Sequence, residues 1–113
     1  MKIKTTEKYN AVVIELKGNV MGGVDTKNFN EYLHKLIDKG MKHVVIDLSG
    51  VKFMNSSGLG MLIGALTTVK KADGQLKLAR VTDKIESLLI ITKLITIFES
   101  FDTVEEAVET FSA

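Results

Sequence analysis

The chain has 113 residues, of which 45% are hydrophobic and 26% are charged, and its formal net charge is +1. These values are typical of one globular domain, and they give no reason to expect nucleic acid or an anionic membrane as a partner. The absence of cysteine excludes disulfides and thiol catalysis, and the two histidines have no ligand cluster around them, so we expect no metal and no cofactor. The longest apolar stretch, residues 59–66, is too short to span a membrane, and the N-terminus lacks the apolar run of a signal peptide. We therefore expect a cytoplasmic protein.

The N-terminal third of the chain predicts a β-hairpin, a loop and a helix. The hairpin has its turn at residues 7–10 and a second strand at residues 11–17, in which the side chains alternate between two faces. Residues 18–23 are rich in glycine and predict a loop. The helix that follows is expected to have Asp25 or Thr26 as its N-cap. Its apolar residues have helical spacing and are Phe29, Leu33, Leu36 and Ile37.

A buried strand and a long apolar helix form the predicted centre of the chain. Residues 43–48 are a nearly continuous run of apolar residues, which is typical of a central strand covered on both faces. A Ser-Gly turn at residues 49–50 is expected to follow. The helix then begins at the adjacent serines Ser56 and Ser57 and ends near Ala72.

The C-terminal part predicts two further strands and two further helices. The strands are expected at residues 75–81 and 94–98, and the helices are expected to be capped by Asp83 and Thr103, each with a glutamate three residues later. The order of elements is β β α β α β α β α. This order predicts an α/β fold with a mixed, mostly parallel β-sheet, an N-terminal antiparallel hairpin and about four covering helices, in a single domain over residues 1–113.

The start of the central helix has the strongest functional signal. A helix N-terminus has unpaired backbone N–H groups and the positive end of the helix dipole, so it favours anions. The simplest role for Asn55 or Ser56 is that of a helix cap. Two other roles stay open for Ser56 and Ser57, because the hydroxyls also suit a phosphate-binding site or a site that is itself phosphorylated.

The two sides of this helix differ in character. The side expected to face the sheet carries Leu59, Leu62, Ile63, Leu66 and Val69. The remaining side carries Gly60, Met61, Gly64, Ala65 and Thr68. A surface helix usually carries charges, so this flat, uncharged side indicates a docking surface. The alternative is that the two glycines only allow close packing against another helix of the same domain.

Several catalytic motifs do not fit this segment. The glycines of residues 58–64 resemble a dinucleotide-binding fingerprint, but the third glycine comes one residue late and the preceding turn is too long. No Gly-x-Ser-x-Gly sequence is present, and no histidine–acid pair is placed by its spacing to form a hydrolase triad. The Ser-Gly-rich turn at residues 55–58 also contains no lysine or metal ligand for nucleotide hydrolysis. We therefore predict that the protein is not an enzyme.

Residues 47–62 contain the series Asp-Leu-Ser-Gly-Val-x-Phe-Met-x-Ser-Ser-Gly-Leu-Gly-x-Leu. This series resembles the central motif of STAS domains, specifically that of bacterial anti-sigma factor antagonists. The resemblance extends to residues 88–98 and 101–107 and to the first strands, so it covers essentially the whole chain. It implies the STAS fold, whose order of elements is the one predicted above.

The resemblance implies a regulatory binding protein. In this family, the antagonist binds an anti-sigma factor that is also a serine kinase with a histidine-kinase-like ATPase fold. The kinase phosphorylates the first serine of the motif and so releases the antagonist. A serine phosphatase then restores the unphosphorylated antagonist. By position that serine is Ser56, with Ser57 as the second choice. The expected partner-binding residues are Asn55, Ser56, Ser57, Gly58, Gly60, Met61, Gly64, Met21, Gly22 and Gly23.

Two positions differ from the family pattern. Asn55 stands where the family usually has an acid before the serine, so it keeps the capping oxygen but lacks the negative charge. In the loop before the first helix, Met21 stands where aspartate is common. These differences favour an alternative function, in which the STAS domain docks without phosphorylation as a stressosome scaffold or as the accessory of a lipid transporter.

Overall fold

A five-stranded sheet with the strand order β1-β2-β3-β4-β5 lies at the centre of the computed structural model, which describes residues 1–111. The elements in chain order are β1 (Lys2–Lys8), β2 (Ala11–Val20), α1 (Val24–Asp38), β3 (His43–Met54), α2 (Ser56–Lys71), β4 (Gln75–Ala79), α3 (Asp83–Ile91), β5 (Ser100–Phe101) and α4 (Val104–Glu109). β1 and β2 are antiparallel, and the other neighbouring strands are parallel. The predicted order of elements and the mixed α/β fold are confirmed. Residues 112–113 of the predicted domain lie outside the described residues.

The helices cover the two faces of the sheet unequally. Helices α1, α2 and α3 pack on one face and build the larger core, which contains Ile14, Ile46 and Leu62. Helix α4 packs on the other face, where Val108 contributes to a smaller cluster with Val45 of β3. The middle strand β3 is therefore buried on both sides, as its apolar run predicts.

Strands β2 and β3 are both longer than predicted. The predicted loop start at residue 18 and the predicted Ser-Gly turn at residues 49–50 are wrong, because the two extensions pair with each other in parallel as far as Val20 and Met54. The register shifts twice along this pairing, which lets the strands continue past the glycines. The β1–β2 turn is shorter than the predicted residues 7–10 and consists of residues 9–10, because β1 continues to Lys8.

Two helices begin earlier than predicted. Gly23, rather than Asp25 or Thr26, occupies the N-cap of α1, and no side chain caps that helix. The Asp25 carboxylate lies 3.7 Å from the amino terminus instead. Thr82, rather than Asp83, caps α3, and its side chain accepts a hydrogen bond from the backbone N–H three residues later at 3.4 Å.

The fifth strand was predicted at residues 94–98, and this prediction is wrong. The chain reverses at Lys93, which has a φ of 62°, and Leu94 N donates to Leu89 O at 2.8 Å to close the end of α3. Residues 94–98 therefore form turns, and the strand β5 follows at Ser100–Phe101.

The remaining C-terminal predictions mostly hold. β4 ends at Ala79, two residues before its predicted end, because Arg80 adopts a left-handed conformation with a φ of 55°. The Thr103 cap of α4 is confirmed, since its side chain accepts a hydrogen bond from Glu106 N at 3.1 Å. Among residues 1–111, no helix is both long and apolar enough to cross a membrane.

Candidate partner-binding site

Asn55 joins the end of β3 to the start of α2. Its side-chain Oδ1 accepts a hydrogen bond from Gly58 N at 2.8 Å, and its backbone N–H donates to Val20 O at 3.3 Å. The first bond satisfies one of the free N–H groups of the helix, and the second attaches the turn to the end of β2. Of the two predicted caps, Asn55 and Ser56, the structure has Asn55.

Gly58 lets the first turn of α2 lie directly against β2. A Cβ atom added at Gly58 would lie 2.0 Å from Val20 O and 2.8 Å from Val20 C, far inside any van der Waals distance. Only glycine therefore permits this approach. The contact holds one side of the helix start against the sheet, so the serines on its other side face outward.

Ser56 and Ser57 are the first two residues of α2, and both are exposed. The β2–α1 loop lies beside them, because a Cβ atom added at Gly22 would be 2.6 Å from Ser57 Cβ. Gly22 also has a φ of 79°, so this position favours glycine for two reasons. The structure thus brings the predicted loop residues and the predicted serines together. We call residues 55–58 and the adjoining loop 21–23 the serine turn.

The first turn of α2 contains no acidic residue. The backbone N–H groups and the helix dipole at this end are therefore not neutralised by a side chain of the same turn, and an added phosphate is electrostatically tolerated there. In the described part of the chain, no group of histidine, cysteine, aspartate and glutamate side chains is placed to hold a metal ion.

The uncharged side of α2 is only partly a surface. Gly60 and Gly64 are exposed, whereas Met61 and Ala65 are each only 3% exposed because they face α1. Met61 therefore lies beneath the predicted docking surface rather than on it, which corrects its expected exposure. The buried stripe of α2 is confirmed for Leu59, Leu62, Leu66 and Val69, and Ile63 is half-buried.

The two exposed glycines of α2 are not explained by packing within the domain. A Cβ atom added at Gly60 or Gly64 would meet no heavy atom within 4 Å. The alternative that these glycines allow close contact with a neighbouring helix is therefore wrong. Each glycine in a helix costs about 1 kcal/mol relative to alanine, so these two glycines lower the stability of α2 although the domain has room for a Cβ at both positions.

Large apolar side chains are exposed within and beside the serine turn, and two of the three are not among the predicted site residues. Met21 and Val24 are exposed on the side of α1, and Phe53 is 44% exposed at the end of β3. Only Met21 was among the predicted residues. The available signal for Phe53 was its place in the motif two residues before Asn55. Val24 gave no signal, because it lies between the predicted loop and the predicted helix caps.

The acid at the start of the motif has a structural role. Asp47 is 3% exposed, and its Oδ1 accepts a hydrogen bond from Ser49 N at 3.0 Å. Its Oδ2 lies 3.5 Å from Arg80 Nη1. The carboxylate thus stabilises the backbone where β3 passes its bulge, and it is not part of the exposed surface around the serines.

The STAS domain family matches residues 2–107 of this chain. A relative from Thermotoga neapolitana, named as a candidate anti-sigma factor antagonist, is 32% identical over 81 residues, which cover 72% of this chain and 68% of the relative. The chain belongs to the STAS domain family, and its relatives carry the name of anti-sigma factor antagonists.

Solved structures show the same fold. The crystal structure of a candidate anti-sigma factor antagonist from Thermotoga maritima has a TM-score of 0.87 and 21% identity, and the match covers 98% of this chain and 95% of that one. The Bacillus cell fate determinant SpoIIAA in its phosphorylated form has a TM-score of 0.75 and 19% identity, with 97% and 99% of the two chains covered. At these identities, the likeness concerns the fold alone.

Proposed function

We propose that this chain is an anti-sigma factor antagonist, a non-enzymatic cytoplasmic protein that regulates transcription by partner switching. Its partner is an anti-sigma factor that is also a serine kinase with a histidine-kinase-like ATPase fold, and phosphorylation of Ser56 releases the complex. A serine phosphatase then removes the phosphate. The observation that carries this proposal is the exposed pair Ser56 and Ser57 at an uncharged helix N-terminus of a STAS domain.

The physical basis of the switch is a difference between the free and the bound protein. A phosphate adds about −1.5 to −2 charges at pH 7. In the free protein this charge is exposed to water and lies at the positive end of α2, so the fold is not disturbed. In the complex the same dianion is desolvated within an uncharged surface, which costs several kcal/mol when it is unpaired. Since each 1.4 kcal/mol is tenfold in affinity, one phosphate is enough to dissociate the partner.

The choice of Ser56 over Ser57 is supported by its position in the motif, directly after the N-cap Asn55. The name of one matching structure, phosphorylated SpoIIAA, supports phosphorylation as the means of control. Ser57 is the second choice, and its contact with the loop at Gly22 places it at the edge of the same surface.

Mass spectrometry of the chain after incubation with its cognate kinase and ATP tests this proposal. We expect the wild-type chain and Ser57→Ala to gain one phosphate each. Ser56→Ala is expected to gain none. Treatment with a serine phosphatase is expected to remove it. If Ser56→Ala gains as much phosphate as the wild-type chain, the assignment of Ser56 is contradicted.

Asn55 and Met21 favour a second function, that of a STAS subunit which docks without phosphorylation. Asn55 lacks the acid that the family usually has, and Met21 alters the loop beside the serines. In that case the chain is expected to co-purify with a transporter ATPase or to elute in a large particle on size exclusion. Kinase and ATP are then expected to add no phosphate.

A further inference from the structure

An apolar groove lies between the end of β3 and helix α3. It has a cavity volume of about 240 Å³, and its lining includes Phe53, Met54, Lys84, Ile85, Leu88 and Ile91. Ile91 is 78% exposed and Phe53 is 44% exposed, although both are large apolar side chains. We call this feature the α3 groove.

The α3 groove is continuous with the serine turn. Phe53 and Met54 line the groove and directly precede Asn55, the cap of α2. A strand advances about 3.3 Å per residue, so Phe53 lies within about 10 Å of Ser56 along the chain. A partner that covers Ser56 therefore reaches the mouth of the groove.

We propose that the α3 groove receives an apolar side chain of the same anti-sigma kinase that binds the serine turn. This inference rests on the proposed function and names a further part of its interface. A specific protein interface covers roughly 800 Å² on each partner, and most of its affinity comes from a few buried apolar or aromatic anchors. The serine turn has only one large apolar side chain, Met21, so we expect further anchor contacts on the neighbouring surface, where Phe53 is exposed.

The charge at the rim of the groove specifies the partner further. Lys84 Nζ lies 5.9 Å from the centre of the Phe53 ring, and within residues 1–111 Lys84 forms no ion pair. We therefore expect the partner to carry a carboxylate next to its apolar side chain. A second copy of this chain fits less well, because a two-fold contact centred on the groove brings the two Lys84 ammonium groups together.

Two neighbouring isoleucines provide a matched test. Ile91 lines the groove, whereas Ile90 is 54% exposed on the same helix and is outside the groove lining. The dissociation constant is measured by calorimetry with the kinase that phosphorylates Ser56, in the presence of ADP. We expect Ile91→Glu to weaken binding at least about tenfold and Ile90→Glu to change it less than twofold. Both side chains are exposed, so both variants are expected to keep the wild-type melting temperature. If Ile91→Glu unfolds, Ile91→Ser replaces it.

The proposed carboxylate is tested with Lys84→Gln against Lys70→Gln, a substitution at the far end of α2. Lys84→Gln is expected to weaken binding several-fold and to make it less sensitive to salt, and Lys70→Gln is expected to do neither.

Equal affinities of Ile91→Glu and Ile90→Glu overturn the inference, even when Ser56→Asp abolishes binding and the proposed function stands. Sedimentation of the isolated chain tests the other occupant. If the chain self-associates and Ile91→Glu abolishes this, the inference is overturned in favour of a second copy of the chain in the groove. A wild-type chain that binds no such kinase overturns the proposed function and this inference together.

Discussion

Asn55 and Gly58 give the serine turn its shape, although neither carries a reactive group. Asn55 bonds to Gly58 N and to Val20 O, and Gly58 lies so close to Val20 that no Cβ fits between them. The sequence motif identified both residues. It did not reveal the reason for Gly58, because the atom it contacts belongs to a strand far earlier in the chain.

Substitution of Gly58 by alanine is expected to destabilise the protein by at least about 2 kcal/mol, since the added Cβ collides with the backbone of β2. Gly60→Ala is the matched control on the same helix. It has open space for the Cβ, and it is expected to stabilise the protein by about 0.5–1 kcal/mol. Urea unfolding of both variants measures the difference. A Gly58→Ala variant as stable as the wild type contradicts the close contact with Val20.

Asn55→Ala is expected to lower the free energy of unfolding by about 1 kcal/mol, because the cap on Gly58 N is lost. Asn55→Asp restores the acid usual in the family and keeps the capping oxygen, so it is expected to be at least as stable as the wild type. Thermal unfolding at neutral pH measures both variants. Equal stability of Asn55→Ala and the wild type contradicts the role of Asn55 as the cap.

At the scale of whole elements, α2 combines a well-packed side with two exposed glycines, each with open space where a Cβ would lie. Its apolar stripe faces the sheet, whereas Gly60 and Gly64 are exposed beside a cavity between α1 and α2. Packing within the domain does not require a glycine at either position. Under the proposed function, we expect this part of α2 to belong to the same partner surface as the serine turn.

The double variant Gly60→Ala/Gly64→Ala is expected to be more stable than the wild type by about 1–2 kcal/mol and to bind the anti-sigma kinase more weakly, because two methyl groups are added to this part of α2. Lys70→Ala at the other end of α2 is the control and is expected to leave binding unchanged. Unfolding and binding titrations on the same samples separate the two effects. A double variant with wild-type affinity shows that this part of α2 lies outside the interface.

The elements themselves were largely predictable, because their apolar periodicity is local information. The residues at which the elements begin and end were not predictable in this way. The extensions of β2 and β3 exist because each pairs with the other, and β5 forms only where β4 offers free backbone groups after the reversal at Lys93. The burial of Met61 likewise depends on where α1 crosses α2, which no spacing within α2 reveals.

An exposed ion pair connects α4 to the hairpin. Lys8 Nζ lies 2.8 Å from Glu105 Oε2, and this hydrogen bond raises the pKa of Lys8 above its usual 10.5 and lowers the pKa of Glu105 below its usual 4.5. The pair therefore stabilises the fold between these two values. Its contribution is lost as pH falls through the lowered pKa of Glu105 or rises through the raised pKa of Lys8.

Glu105→Gln is expected to lower stability slightly near pH 7 at low salt, since exposed pairs contribute little and are screened. The difference from the wild type is expected to disappear in acid, below the pKa of Glu105, and at high salt. Thermal melts across pH and ionic strength measure it. A difference that persists unchanged in acid contradicts a contribution from this pair.

At the scale of the whole molecule, the apolar and uncharged features gather at one end of the sheet. The carboxyl ends of β2 and β3, the N-termini of α1 and α2 and the α3 groove all meet around Asn55. The protein as a whole is nearly neutral, with a formal net charge of +1, so a single added dianion at this end changes its electrostatics substantially. This arrangement suits the proposed phosphorylation switch, because the added charge would lie at the end of the molecule that carries the proposed interface.

The affinity of the cognate anti-sigma kinase for this chain with and without a phosphate on Ser56 is the most direct test of that switch. Calorimetry in the presence of ADP gives both dissociation constants, and melting curves of the two forms monitor the fold. The proposed switch predicts that the phosphate weakens binding at least about tenfold while the melting temperature is retained. Equal affinity of the two forms, with both folded, contradicts it.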